Sequence, residues 1–185
     1  MENSSLFASE EAFVAFMKEH QFGVLQYLKG LCRQTDLVED LFQETFIQAW
    51  MKGTQLKKLQ SARAWLLTIA RNQYLMQRRK NGEESTETET IEELALKAGW
   101  GERAEVESSI DYQAIEQALQ SLSQEDREIL ILRDLQNIDG EKTAKILNIT
   151  VEAMKSRLHR ARLKLKALVG KKLNNAHKDF HAKKI

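Results

Sequence analysis

The chain has 185 residues, no proline, 8 glycines, one cysteine and a formal net charge of +1, which leaves room for one medium domain or two small ones with modest cores. Both helix breakers are scarce and no alternating Val, Ile and Thr run lies between turn residues, so a large sheet is excluded and the expected fold is all-α. No apolar run reaches the roughly 18 residues of a membrane span, "MENSSLFASEEAF" lacks the basic and apolar stretches of a secretory leader, and the lone Cys32 has no disulfide partner; a cytoplasmic protein with a buried, inert thiol is expected.

Residues 1–80 read as a small helical domain. Ser9 can cap its first helix, with Glu10 and Glu11 in the opening turn. In "DLVEDLFQETFIQAW", Asp36 and Glu39 form a capping-box-like pair that predicts a helix start at Asp36. Val38, Leu41, Phe42, Thr45, Phe46 and Ala49 then share one stripe. Asp40, Glu44 and Ile47 follow on another, with Gln43 beside them. Such a row is usually a solvated acidic face, but the isoleucine within it hints at a partner. "MKGTQLKKLQ" (51–60) is a polar loop carrying Lys52, Thr54, Lys57 and Lys58. Ser61 is placed to cap "ARAWLLTIARNQYLMQRRK". At 100° per residue, Trp65, Ile69 and Met76 fall on one side of this helix, and Arg63, Arg71, Tyr74 and Arg78 fall nearly opposite. A solvated basic face and a nucleic-acid surface, with Arg on phosphate and Tyr stacked on bases, fit the second group about equally.

Residues 81–108 read as a flexible acidic linker. Glu83, Glu84, Glu87, Glu89, Glu92, Glu93, Glu102, Glu105 and Glu107 face only Lys97 and Arg103 as countercharges in 83–107, and "NGEESTETETIEE" cannot bury enough apolar surface to fold alone. Trp100, between two glycines, needs a surface to rest on, within the chain or on a partner.

Residues 109–170 read as a second helical domain. "YQAIEQALQSL" is amphipathic, and Ser123 can cap "QEDREILILRD". "DGEKTAKIL" is a short helix capped by Asp139, with the small Ala144 where two helices approach. Asn148 suits a left-handed turn, and Thr150 is a ready N-cap. In "ITVEAMKSRLHRARLKLKALV", Met154, Leu158, Ala161, Leu165 and Leu168 form the core stripe. Glu152, Ser156, His159 and Arg160 lie away from it, flanked by Lys155, Arg157 and Arg162. A short helix, a three-residue turn and a longer basic helix make a helix-turn-helix, whose second helix enters a major groove. His159 has no Cys or His at metal-ligand spacing, so an ordinary polar role is expected. Residues 141–185 carry 13 bases against 3 acids, which suggests a nucleic-acid surface; 171–185 read as a frayed basic tail.

"DLVEDLFQETFIQAW", "ARAWLLTIARN" and "LSQEDREILILRDLQNIDGEKTAKILNITVEAMKSRLHRARLKLKAL" together resemble the bacterial extracytoplasmic-function sigma factors, over roughly residues 22–80 and 110–169. The first two are similar to parts of conserved region 2 and the third to conserved region 4. The resemblance implies a non-enzymatic initiation factor that binds core RNA polymerase, at the β′ clamp coiled coil and the β flap, and promoter DNA, under control of an anti-sigma factor. It implies that Asp40, Gln43, Glu44 and Ile47 dock on the clamp. Lys52, Thr54, Lys57, Lys58, Arg63, Arg71, Tyr74, Arg78 and Arg79 would bind and open the −10 element. Thr150, Glu152, Ala153, Lys155, Ser156, Arg157, His159 and Arg160 would meet the −35 element, with the linker threading the polymerase cleft. The sequence departs from the family at Met76, where Asp is usual, at Leu122-Ser123, where Leu-Pro is usual, and at Glu152, where Gly is frequent.

No Gly-rich phosphate loop, metal-ligand cluster or nucleophile–base pair occurs, so no cofactor, metal or small-molecule substrate is expected. A stand-alone helix-turn-helix regulator is the rival reading, disfavoured by the basic-aromatic helix 62–80. A hydrolase or transferase with an appended DNA-binding domain is more remote.

Overall fold

A computed structural model describes residues 9–32, 34–56, 58–82 and 112–182. The described residues are helical or irregular, with no strand among them. The acidic segment from Glu83 onward and Trp100 lie outside them, as does Lys57. The chain forms two compact units: Met1–Glu84 with Ile131–Val151, and Ser85–Leu130 with Glu152–Ile185.

The first unit is built on three helices: α1 (Glu10–Leu31), α2 (Thr35–Met51) and α3 (Ala62–Lys80), which pack against one another. Ser9 caps α1 as expected, its Oγ accepting from the amide of Ala12 at 3.2 Å. Phe13, Phe16, Val24, Tyr27, Leu28 and Leu31 form the buried face of α1, and Cys32 just beyond it is buried. The expected α2 stripe is buried at Val38, Leu41, Thr45, Phe46 and Ala49; the Thr45 hydroxyl is satisfied by donating to the Leu41 carbonyl at 2.6 Å. The start of α2 differs from expectation. Its N-cap is Gln34, with no side-chain capping bond, and Asp36 lies one residue inside the first turn. There its charge still opposes the positive end of the helix dipole.

Between α2 and α3 the chain makes two single 3₁₀ turns, Gly53–Gln55 and Leu59–Ser61, pinned by the buried Leu56. Ser61 immediately precedes α3 but makes no capping bond, because the preceding 3₁₀ turn already holds it at helical dihedrals. The core stripe of α3 is Ala62, Leu66, Leu67, Ile69, Ala70 and Tyr74. Met76, expected on the side of Trp65 and Ile69, is 46% exposed.

The first unit also holds residues 131–151. After α5 (Gln124–Leu130, described below), Ile131–Leu135 widen into a π turn that packs on α1. The Gln136 amide reaches back to the Ile131 carbonyl at 2.8 Å. Asn137 takes φ 50°, and the chain enters α6 (Gly140–Leu147), which packs on α3. Asp139 caps α6 through Oδ1, which accepts from the Lys142 amide at 2.9 Å. That bond foremost holds the Asp139 carboxyl below its usual pKa. Asn148 ends α6 in the left-handed region, φ 56° and ψ 48°, as the turn requires.

The second unit contains α4 (Tyr112–Ser121), α5 and α7 (Val151–Ala182), whose first residue belongs to the other unit. Ser123 caps α5 by accepting from the Asp126 amide at 3.2 Å. Lys164 Nζ lies 2.7 Å from Asp126 Oδ2, a largely buried ion pair that ties α7 to α5. Met154, Leu158 and Ala161 are buried as expected, Leu165 and Leu168 half-buried, and Ala167 joins them inside. The basic tail is not frayed from residue 171: α7 runs on to Ala182. "GKKLNNAHKDFHA" has no proline, and its Lys, Leu and Ala residues favour helix.

Candidate nucleic-acid interface

Three surfaces carry the residues singled out by sequence. The first is the outer row of α2. Asp40, Gln43 and Ile47 are exposed and Glu44 is half-buried, on turns opposite to those that bury Leu41, Thr45 and Phe46. Glu44 is held in place by Gln48 Nε2, which donates to its Oε1 at 2.9 Å. Ile47 is 52% exposed. An isoleucine kept in water within a row of carboxylates and amides gains nothing in the free chain and offers apolar area to a partner.

The second surface is the 51–60 connection with α3. Lys52, Thr54 and Lys58 are exposed. The sequence reading missed the apolar company they keep: Trp50, Met51 and Leu59 are 47, 70 and 60% exposed. On α3, Arg63 and Arg79 are exposed, and Arg71 and Arg78 are half-buried. Arg63 Nη2 donates to Gln136 Oε1 at 2.5 Å, and Arg79 Nε donates to the Leu75 carbonyl at 3.3 Å.

Tyr74 is a correction. Periodicity alone sets it on the exposed arginine stripe, yet it is 7% exposed and its hydroxyl donates to the Leu31 carbonyl at 3.4 Å. It continues the line Ala62, Leu66, Ala70 at four-residue steps, so it is a core residue and cannot stack on a base without unpacking the bundle.

The third surface is the start of α7. Thr150 immediately precedes the helix and is exposed, as are Glu152, Ala153, Lys155, Ser156, His159 and Arg160. Arg157 is the exception: it is half-buried, with Nη2 3.3 Å from Glu125 Oε2. Its charge is therefore turned toward α5, not presented outward as expected. The first exposed positions thus read acid, methyl, ammonium and hydroxyl, a mixed set suited to base edges. Arg160, one turn further on, suits phosphate. Among the described residues no cluster of His, Cys, Asp or Glu could hold a metal ion, and none of their helices is long and apolar enough to cross a membrane.

Comparison with known proteins matches both segments of the chain that carry these residues. Residues 16–84 match the family described as Sigma-70 region 2, and residues 112–165 match Sigma-70, region 4. The chain is 33% identical over 140 residues to the ECF RNA polymerase sigma factor EcfG of Rhodopseudomonas palustris (strain TIE-1), covering 76% of this chain and 75% of that protein. It is 28% identical over 167 residues to the ECF RNA polymerase sigma factor SigM of Bacillus subtilis (strain 168), covering 90 and 98%. Among solved structures, the sigma factor RpoE from Bartonella quintana, in complex with the anti-sigma factor NepR, aligns with a TM-score of 0.67 at 28% identity over 86% of this chain and 97% of that one.

Proposed function

Since this chain belongs to the extracytoplasmic-function sigma factors of RNA polymerase, we propose that its three surfaces divide the work of initiation. The protein is an alternative sigma factor that directs core polymerase to promoters; it is a DNA-binding regulatory subunit. The outer α2 row of Asp40, Gln43, Glu44 and Ile47 docks on the polymerase clamp. The loop residues Lys52, Thr54 and Lys58, with Arg63, Arg71, Arg78 and Arg79 of α3, hold the −10 element. With Tyr74 in the core, contact with unstacked bases falls to the exposed Leu59 and Met51 beside those lysines. The first turns of α7 read the −35 element. Lys57 belongs to the same loop by sequence. An anti-sigma factor is a natural regulator, as the solved relative was captured with one. The residue range 1–80 serves as the polymerase and −10 module, 109–170 as the −35 module, and the acidic linker 81–108 joins them.

The observation that carries this division is the graded exposure at the start of α7. Glu152, Ala153, Lys155 and Ser156 stand in solvent, while Arg157 is held by Glu125. Base reading and phosphate binding therefore fall on different residues. The test is transcription and binding with reconstituted holoenzyme, on promoters recovered by transcribing genomic fragments. Lys155→Ala is expected to lose about 1–3 kcal/mol on the cognate −35 sequence and to relax preference there. Arg160→Ala is expected to weaken binding on all sequences alike and to lower the salt slope by about one. Equal losses for Lys155→Ala on cognate and scrambled −35 DNA would overturn the base-reading role. Absence of any polymerase-dependent transcription would overturn the whole reading.

A further inference from the structure

We propose that Glu152 is a specificity-determining residue of α7: its carboxylate accepts from the exocyclic amine of a cytosine in the −35 element and disfavours the other bases at that position. This rests on the assignment of α7 to the −35 element and goes beyond it by naming the base. The observation that carries it is where the acid stands. At about 100° per residue, Glu152, Ser156 and His159 fall within about 60° of one another, and all three are exposed. Met154, Leu158 and Ala161, at 2, 7 and 0% exposure, cover the nearly opposite side. Glu152 therefore lies on the middle line of the outward face, at its leading end. Lys155 and Arg160, also exposed, stand about 70° to either side of that line.

The leading end is the part that meets base edges when a recognition helix enters a major groove. Side chains on a helix lean toward its N-terminus, so Glu152 reaches further into the groove than its place on the axis suggests. Among the described residues it takes part in no ion pair, whereas Arg157 on the same helix is held by Glu125. A carboxylate in a first turn does suit the helix dipole. That contribution is the same whatever DNA sequence is bound, so it is separable from a role in recognition.

The chemistry selects the base. A duplex carries one negative charge per about 1.7 Å of axis, so an acid on the contact face opposes binding to every sequence. The next acid along α7 is Asp179, and the positions between are basic or neutral. An ionised carboxylate only accepts hydrogen bonds. In the major groove guanine presents N7 and O6 and thymine presents O4, all acceptors. Adenine sets its N7 acceptor beside the N6 amine, while cytosine presents the N4 amine with no acceptor next to it. Cytosine is therefore the base that returns a full bond for the charge brought into the groove. Specificity is a difference of affinities, and one residue here both rewards the right base and repels the wrong ones.

The test is selection from a promoter library with a randomised −35 element, using the full chain in reconstituted holoenzyme. Wild type is expected to enrich cytosine roughly tenfold over guanine and thymine at one position. Glu152→Gln carries an amide that both donates and accepts, which matches adenine N6 and N7. The enriched base should therefore change from cytosine to adenine at that position alone. Glu152→Ala should lose the preference there, yet bind sequences lacking the cytosine more tightly than wild type, because a repulsion has gone. If Glu152 only supports the helix, both variants will weaken binding on all sequences alike and enrich the same bases as wild type. That result would overturn the proposal while leaving α7 on the −35 element. Enrichment by wild type of a base other than cytosine at the position the variants alter would overturn it as well. A wild type with no −35 preference at all would remove α7 from the −35 element, and the proposal with it.

Discussion

Tyr74 shows how one side chain can satisfy two periodicities. It lies three residues after Arg71 and four before Arg78, the spacing of a shared exposed face. It also closes the line Leu66, Ala70, Tyr74, which runs at four-residue steps into the core. Tyr74→Ala is expected to lower stability by about 3–5 kcal/mol through the cavity it leaves. Tyr74→Phe removes the hydroxyl and its bond to Leu31 and should cost about 1 kcal/mol. Denaturant unfolding checks both, and permanganate footprints of the Tyr74→Phe holoenzyme should match wild type. His20 is a second residue with a legible sign. Burial beside Phe16, whose ring centroid is 4.7 Å away, foremost lowers its pKa from 6.5; Glu19 opposes and Arg63 adds. A depressed histidine binds fewer protons folded than unfolded, so its contribution to stability is present above the ordinary value and is lost as pH falls through 6.5 toward the folded value. His20→Gln should flatten the loss of melting temperature between neutral and mildly acidic pH. An unchanged pH slope in that variant would remove His20 as its source.

At the scale of elements, caps and ion pairs decide where helices begin and which faces meet. Asp126 is the clearest case. It sits in the first turn of α5, where a carboxylate suits the helix dipole, and it also takes Lys164 Nζ of α7 at 2.7 Å. Both side chains are nearly withdrawn from water, so removing one partner strands a charge. Lys164→Met is expected to cost about 3 kcal/mol, and Asp126→Asn with Lys164→Met together much less than the sum of the two singles. A double-mutant cycle in urea measures this; strict additivity would mean that the pair is not coupled. The neighbouring pair of Arg157 and Glu125 is half-exposed and should contribute under about 1 kcal/mol, which leaves Arg157 available to move if DNA offers a better partner.

For the whole molecule, the acidic row of α2 separates binding from folding. Asp40 is exposed and Glu44 half-buried, and neither belongs to the buried stripe. Alanine at both positions is expected to leave the melting temperature nearly unchanged. The same substitutions should weaken association with core polymerase by about 2–5 kcal/mol if the charges are desolvated on docking. Titration of labelled core polymerase with the variant checks this, and unchanged affinity with an intact fold would move the docking surface elsewhere.

Local features were readable in the sequence because their bonds close within a few residues. The caps at Ser9, Ser123 and Asp139 and the left-handed turn at Asn148 each depend on neighbours three or four positions away. The buried stripe of α2 and the exposed first turns of α7 follow from a period of 3.6 residues. Other features were decided by partners far along the chain. Tyr74 turns inward because Leu31 lies there, and Arg157 turns aside because Glu125 does. The seat of Ile131 on Gly30, a contact between residues far apart in the chain, leaves no periodic trace in either segment. A helical period shows that a residue can lie on a face; only packing determines which face is covered, and by what.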